Sequence, residues 1–282
     1  MTTTAFILGS LMATLLSCRQ PATSNNTSPA ISASTTAATS HPPANVAAIP
    51  APPGYQRPQG NEFTGWLRKL PLKTNNTVYL FNGHPKRNQT AQFAVLDISV
   101  GNKDLQQCAD AVIRLRAEFL YQQGAIDRIA FHATDGTLLD YKSWTKGYRF
   151  KLHNNRLSKV MMATPADNRA SFLNYLETVF SFAGTQSLAR DLSRITGLQH
   201  IQPGDVFIKG GTPGHAVIVM DVATDKNGHK AFLLAQSYMP AQDIHILRNP
   251  NDPALSPWYT APNSEILYTP EWTFYSNQLA RF

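Results

Sequence analysis

The sequence predicts an α+β fold in which an antiparallel sheet, built late in the chain, packs against helices formed earlier. Three apolar strand-like segments follow one another closely, at residues 206–208, 216–222 and 231–237. The dipeptide Asn227-Gly228 joins the last two and is typical of a tight hairpin turn. The helical patterns that precede them each end at a glycine: Gly124, Gly184 and Gly197. Helices and sheet are therefore expected to be segregated.

The remaining elements follow from local patterns in chain order. A short helix is predicted at residues 65–70 and strands at 78–81 and 93–100. Asp104 is predicted to cap the next helix, because Gln107 three residues later completes a capping-box pattern. Beyond it, Asp135-Gly136 predicts a hairpin of residues 126–131 and 138–141. Further helices are predicted at 168–182 and 187–195, residues 244–247 could extend the sheet, and the tail from 249 is expected to wrap the core.

The composition fits a folded protein that needs no disulfides. The chain has 282 residues, of which 43% are hydrophobic and 15% charged, and this length buries a core without covalent staples. Its formal net charge of +7 is a mild and dispersed excess, so no nucleic-acid partner is expected. Because no run of 18 apolar residues occurs, the sequence predicts no membrane-spanning helix.

The N-terminal region indicates export and a lipid anchor. Residues 5–16 have the length of a signal-peptide apolar stretch, and they lead into Leu15-Leu16-Ser17-Cys18. This tetrad resembles a bacterial lipobox, which implies that residues 1–18 are a lipoprotein signal and that acyl chains on Cys18 bind the membrane. The first four residues carry no lysine or arginine, unlike most export signals. An ordinary secretory signal without lipid is the alternative.

Residues 19–60 are predicted to be a disordered tether, because they are rich in Pro, Ser, Thr and Ala and lack a sustained apolar period. Residues 61–282 then form a single globular domain. The expected location is extracytoplasmic and lipid-anchored, and Arg19 after the modified cysteine favours the outer membrane where the source has one. With Cys18 acylated, Cys108 is the only thiol left in the chain.

Two motifs at the start of the sheet point to a cysteine hydrolase. Residues 203–207, Pro-Gly-Asp-Val-Phe, and 214–219, Gly-His-Ala-Val-Ile-Val, resemble the strand pair of papain-like amidases of the NlpC/P60 and CHAP type. The resemblance implies a papain-like fold, with an antiparallel sheet packed against the helix that carries the nucleophile. It also implies the site residues: Cys108 as nucleophile, His215 as base and Gln236 as the residue that orients the imidazole.

The chemistry of these residue types supports that assignment. A cysteine in the first turn of a helix lies near unpaired N–H groups and the positive end of the helix dipole, which favour its thiolate. His215 can then move a proton while Gln236 holds its other nitrogen, so acyl transfer is the expected reaction. The expected substrate is an amide bond of the cell envelope, such as one in a peptidoglycan peptide. Neither a metal nor a cofactor is expected.

Several alternatives stay open at this level. Cys108 is in phase with an apolar helix stripe, as a core cysteine would be, and residues 107–110 read Gln-Cys-Ala-Asp instead of the Asp-Cys-Ser-Gly usual in these amidases. The rival function is therefore a non-catalytic envelope binding or assembly lipoprotein of papain-like fold. Either Asp243 or His245 could orient the imidazole of His215 in place of Gln236. A metal site is a weaker alternative, formed by His200, Asp205, His215 and Asp221.

Longer stretches carry a second resemblance, at residues 104–111, 180–188, 204–208, 214–219 and 235–242. Through them residues 54–282 resemble an uncharacterised family of bacterial lipoproteins, domain of unknown function 4846. This resemblance implies no activity, so the functional prediction depends on the cysteine, the histidine and the glutamine.

Overall fold

Most helices and strands lie where the apolar periodicity of the chain predicts them. The computed structural model describes residues 42–262 and 265–282. Within these residues its α-helices are α1 (Glu62–Lys69), α2 (Cys108–Gln122), α3 (Tyr141–Thr145), α4 (Arg169–Phe182) and α5 (Thr185–Asp191). The strands are β1 (Gln92–Val95), β2 (Ala130–His132), β3 (Leu138–Asp140), β4 (Tyr148–His153), β5 (Arg156–Met161), β6 (Ser193–Arg194), β7 (Val206–Lys209), β8 (His215–Thr224), β9 (Lys230–Gln236), β10 (His245–Leu247), β11 (Tyr259–Thr260), β12 (Ile266–Tyr268), β13 (Thr273–Tyr275) and β14 (Leu279–Arg281).

The main sheet is antiparallel, in the order β1-β10-β9-β8-β7-β14-β6, and β11 pairs with the first residues of β9. Strand β8 lies at its centre, where His215 is opposite Lys209 of β7 and Ile218 is opposite Ala235 of β9. A register shift between Val219 and Asp221 introduces a bulge in β8. The fold thus combines α-helices with antiparallel sheet, as the sequence predicts.

The two faces of this sheet carry separate clusters of buried side chains. Alternation along β8 places Ala216 and Ile218 on the face that α1 and α2 cover. Val217 lies on the other face, which the C-terminal segment covers through Phe274. Because His215 has the same parity as Val217, its side chain is directed to the second face, at the end of the strand where α2 begins.

Helix α2 begins three or four residues later than its capping pattern predicts. Gln107, and not Asp104, is the cap, and the backbone N–H of Gln107 donates to the carboxylate of Asp110 at 3.0 Å. The prediction was wrong because Asp104 is engaged elsewhere: it accepts from the backbone N–H of Ala241 at 2.6 Å. Cys108 is consequently the first residue of the helix, where its N–H has no partner within the helix.

The folded domain begins before residue 61, contrary to the predicted boundary. Val46 and Ile49 have no exposed surface. Arg57 forms an ion pair of 2.5 Å with the buried carboxylate of Asp221, which also pairs with Arg68 of α1 at 2.8 Å. Residues 46–57 therefore belong to the domain and not to the predicted tether, because they bury apolar side chains and neutralise a buried charge. Residues 19–41 of that tether, the predicted signal and Cys18 lie outside the described residues.

Two other predictions were wrong, and one hairpin was not predicted. Residues 78–81 form only isolated bridges, because Leu80 meets a single partner, Gln242. The hairpin β4–β5 was not predicted, since its strands carry many charged side chains. The predicted helix at 187–195 ends at Asp191, after which β6 joins the sheet. The described residues contain no helix that is long and apolar enough to cross a membrane.

Candidate active site

Cys108 lies where the start of α2 meets the start of β8. Only 9% of the residue is exposed. The backbone N–H groups of Cys108, Ala109 and Ala216 lie near its sulfur, and each acts to lower the pKa of the thiol. Three N–H donors around one atom form a site that stabilises negative charge, as an oxyanion hole does.

The residue before His215 has to be glycine. A Cβ at Gly214 would lie 2.3 Å from the carbonyl oxygen of Gly211 and 2.3 Å from Oγ1 of Thr185 at the start of α5. This close approach presses the loop between β7 and β8 against α5. The Gly-His motif is thus a packing requirement that delivers His215 to the end of the strand.

His215 and Gln236 form the hydrogen bond that the sequence predicts. Nε2 of His215 lies 2.9 Å from Oε1 of Gln236, and both residues are 1% exposed. The imidazole is enclosed by aromatic rings, with centroids 4.8 Å away in Tyr238, 5.2 Å in Trp272 and 5.9 Å in Phe274. Gln236 faces the same side of the sheet as His215, as an orienting residue requires.

Glu271 decides which way the Gln236 amide points. Its carboxylate accepts from Nε2 of Gln236 at 2.7 Å and from Nζ of Lys86 at 2.5 Å. A carboxylate has no proton to donate, so the amide nitrogen must face it and the amide oxygen must face His215. Nε2 of His215 then carries the proton. Nδ1, which makes no hydrogen bond to any described residue, is left with the lone pair of a base.

Cys108 and His215 line the same open cavity, which has a volume of ≈ 460 Å³. Gln107, Thr185 and Trp272 are further parts of its wall. Among the described residues, no hydrogen bond joins the Cys108 thiol to the imidazole, so the two groups share a cavity without being in contact as donor and acceptor. Catalytic hydrogen bonds are often long in unliganded sites and shorten when substrate binds.

Burial keeps both groups uncharged near neutral pH. Burial and the charge of Asp110 raise the pKa of Cys108 to about 11, and the N–H groups of Ala109 and Ala216 oppose this only in part. Burial lowers the pKa of His215 to about 4, although the hydrogen bond with Gln236 acts to raise it. The free protein therefore holds a thiol and a neutral imidazole, and not a preformed ion pair.

Asp243 and His245, the alternative residues for orienting His215, have other partners. The carboxylate of Asp243 pairs with Nζ of Lys73 at 2.9 Å and accepts from the backbone N–H of Tyr79 at 3.0 Å. Nδ1 of His245 bonds the backbone oxygen of Asp243 at 2.8 Å. Neither side chain bonds His215, so the orienting position belongs to Gln236 in this geometry.

The alternative metal ligands are dispersed. Asp205 forms an ion pair with Arg281, and Asp221 forms its pairs with Arg57 and Arg68. Within residues 42–262 and 265–282, no group of three or more His, Cys, Asp or Glu side chains could hold a metal ion.

Sequence patterns did not indicate Glu271 or Lys86 as parts of the site, and Trp272 was expected only as one of several tail aromatics that could line a groove. Glu271 and Trp272 belong to the tail, 35 or more residues after Gln236, and Lys86 lies in the turn at residues 84–87. No local pattern links such distant positions. A Pro-Glu-Trp cluster in a tail of otherwise polar and aromatic residues was the single available signal.

A comparison with family models matches residues 46–281 to domain of unknown function 4846. The chain belongs to this family. The match begins at Val46, in agreement with the burial of that residue in the domain. No curated protein and no solved structure showed significant similarity to the chain. Membership in the family defines the extent of the domain but assigns it no activity.

The tautomer of His215 is open to direct measurement. We expect ¹⁵N NMR to show His215 uncharged from pH 8 down to pH 5, with its proton on Nε2, because its pKa is about 4 and Glu271 fixes the Gln236 amide. In Glu271→Gln the new amide both donates and accepts, so Gln236 can rotate and the Nδ1–H tautomer should appear. Glu177→Gln, at an exposed ion pair, is the control. A charged His215 at pH 6, or an Nδ1–H tautomer in the unmodified protein, would contradict this geometry.

Proposed function

We propose that this family domain is a papain-like cysteine hydrolase that cleaves amide bonds in the cell envelope by acyl transfer. Cys108 is the nucleophile, His215 is the base and Gln236 orients the imidazole. The observation that carries the proposal is the His215–Gln236–Glu271 chain, which leaves Nδ1 of His215 without a hydrogen-bond partner among the described residues, in a cavity that Cys108 also lines. Burying these polar side chains costs free energy, and no gain in packing is evident that would explain their presence.

In the proposed reaction, Sγ of Cys108 attacks the substrate carbonyl carbon while the thiol proton moves to Nδ1 of His215. The carbonyl oxygen becomes an oxyanion near the N–H groups of Cys108 and Ala216. The C–N bond then breaks, and the proton on His215 passes to the departing amine. Water, deprotonated by His215, hydrolyses the thioester and restores the free thiol.

The envelope location and the substrate class rest on the N-terminal motif. An acyl anchor on Cys18 would hold the domain outside the cytoplasm, where amide bonds of wall peptides are the abundant substrates within reach. The open cavity suits a chain-like substrate, because it lies between the α2 start, the α5 start and the aromatic tail.

The rival function is a non-catalytic envelope module in which Cys108 is a core residue. The raised pKa of about 11 for Cys108 is the observation that favours it, since a buried thiol without a charged partner is unreactive. The two functions differ in one respect: only the hydrolase needs His215 to accept the thiol proton.

The rate of Cys108 alkylation against pH separates the two. In a Cys18→Ser background Cys108 is the only thiol, and we expect its alkylation rate by iodoacetamide to vary less than threefold between pH 5 and 9, because the proton moves within the neutral pair. In His215→Gln only free thiolate reacts, so the rate should rise about tenfold per pH unit in this range, below the thiol pKa.

His245→Gln is the matched control, because His245 is equally buried on the same sheet but does not line the cavity. It should keep the flat profile. A tenfold rise per pH unit in the unmodified protein, parallel to that of His215→Gln, would show a core cysteine and favour the non-catalytic module.

Attachment through Cys18 is part of the proposal and is tested separately. We expect Cys18→Ser to move the protein from the membrane fraction to the soluble fraction with an unchanged midpoint of thermal unfolding, because the acyl chains supply the membrane affinity. Cys108→Ser, the other cysteine substitution the chain allows, should stay with the membrane. Membrane retention of Cys18→Ser would rule out the lipid anchor.

A further inference from the structure

A second cavity, of ≈ 440 Å³, shares no lining residue with the cavity of Cys108. It is bounded by the start of α1, the middle of α2, the loop before β7 and the end of β14. Three of its lining residues are arginines: Arg116, Arg128 and Arg281. Each of these positive charges can be balanced either by a counter-charge of the protein or by a bound ligand.

Arg116 is a half-buried cation without a counter-charge. Among the described residues it forms no ion pair and no hydrogen bond, so its N–H donors are free. Burial and the neighbouring charge of Arg128 lower the pKa of Arg116, which reflects the same lack of compensation. Arg128 is exposed and likewise has no ion pair in the described part of the chain.

The other charges of the cavity do not satisfy these two arginines. Arg281 is neutralised by Asp205, with Nε–Oδ1 at 2.6 Å and Nη2–Oδ2 at 2.9 Å. Glu62, exposed at the start of α1, lines the cavity without pairing with either arginine. The unbalanced charge therefore belongs to Arg116 and Arg128.

Aromatic rings hold the Arg116 guanidinium in place. Its Cζ lies 5.1 Å from the ring centre of Phe63, 5.7 Å from that of Phe119 and 5.3 Å from that of Phe282. Cation–π contacts fix the position of a guanidinium and leave its hydrogen-bond donors available. The same rings offer an apolar wall to the body of a ligand.

We propose that this cavity binds a small oxyanion, a carboxylate or a phosphate, that is attached to an apolar body. The oxyanion would accept hydrogen bonds from the free donors of Arg116 with Arg128 beside it, and the body would contact the phenylalanine rings. A planar guanidinium suits both carboxylate and phosphate geometry. This site does not depend on the proposed hydrolase activity.

Calorimetric titration of the Cys18→Ser chain with three probes tests the site: benzoate, phenyl phosphate and neutral benzamide. We expect saturable one-to-one binding of benzoate, phenyl phosphate or both, with no heat from benzamide, and the better anion identifies the preferred oxyanion. Arg116→Gln should weaken anion binding about tenfold or more, because it removes charge-assisted hydrogen bonds. Binding of benzamide as tight as benzoate, or no saturable binding of either anion, would overturn the proposal.

Surface variants keep the test valid if Arg116→Gln fails to fold. Arg128→Gln should weaken anion binding about threefold, whereas Glu62→Gln should tighten it, because it removes the opposing charge at the cavity. Arg156→Gln, an exposed arginine in the hairpin β4–β5, should have no effect. Equal affinities in the Arg128, Glu62 and Arg156 variants would contradict the site.

Discussion

The carboxylate of Glu271 is the constraint on which the arrangement of Gln236 and His215 in the candidate active site depends. It accepts from Gln236 and Lys86, and Asn88 adds a third donor at 3.1 Å. Because a carboxylate only accepts, the Gln236 amide has one permitted orientation, and that orientation fixes the proton of His215 on Nε2. The tail that carries Glu271 also closes the second face of the sheet. The same segment therefore covers the core and fixes the tautomer of His215.

Burial raises the pKa of Cys108 and lowers the pKa of His215. It holds Cys108 as a thiol and His215 as a neutral imidazole, so in the proposed reaction charge would appear on these groups only when the thiol proton is transferred. The N–H groups at the start of α2 and at Ala216 lie near the sulfur and act to lower its pKa. In the proposed reaction the developing charge would require little reorganisation, and substrate binding would have to bring the sulfur and the imidazole together.

Features that depend on local interactions were predicted from the sequence, whereas features that depend on distant residues were not. The strands around His215 and Gln236 were predicted because alternation and the Asn227-Gly228 turn are local, and their shared face follows from strand register. The start of α2 was misplaced, since only the fold reveals that the carboxylate of Asp104 bonds to Ala241. Glu271 was missed for the same reason: nothing near it in the sequence indicates a partner in β9.

Composition also misled in two places. Residues 46–57 have the alanine- and proline-rich composition of a tether, yet side chains such as Ile49 anchor them in the core. The hairpin β4–β5 has charged strands, and its only signal was Asn154-Asn155, whose positive φ values of 49° and 59° fit a tight turn.

The most direct test of acyl transfer is to trap the acyl-enzyme. Intact-mass and peptide mass spectrometry of the Cys18→Ser chain, after a short reaction with p-nitrophenyl acetate at pH 6, should find one acetyl group on Cys108 that hydroxylamine removes. The adduct should be absent from Cys108→Ser and form at least tenfold more slowly in His215→Gln. Acetylation of Cys108 at equal rates with and without His215 would contradict the account, as would its complete absence.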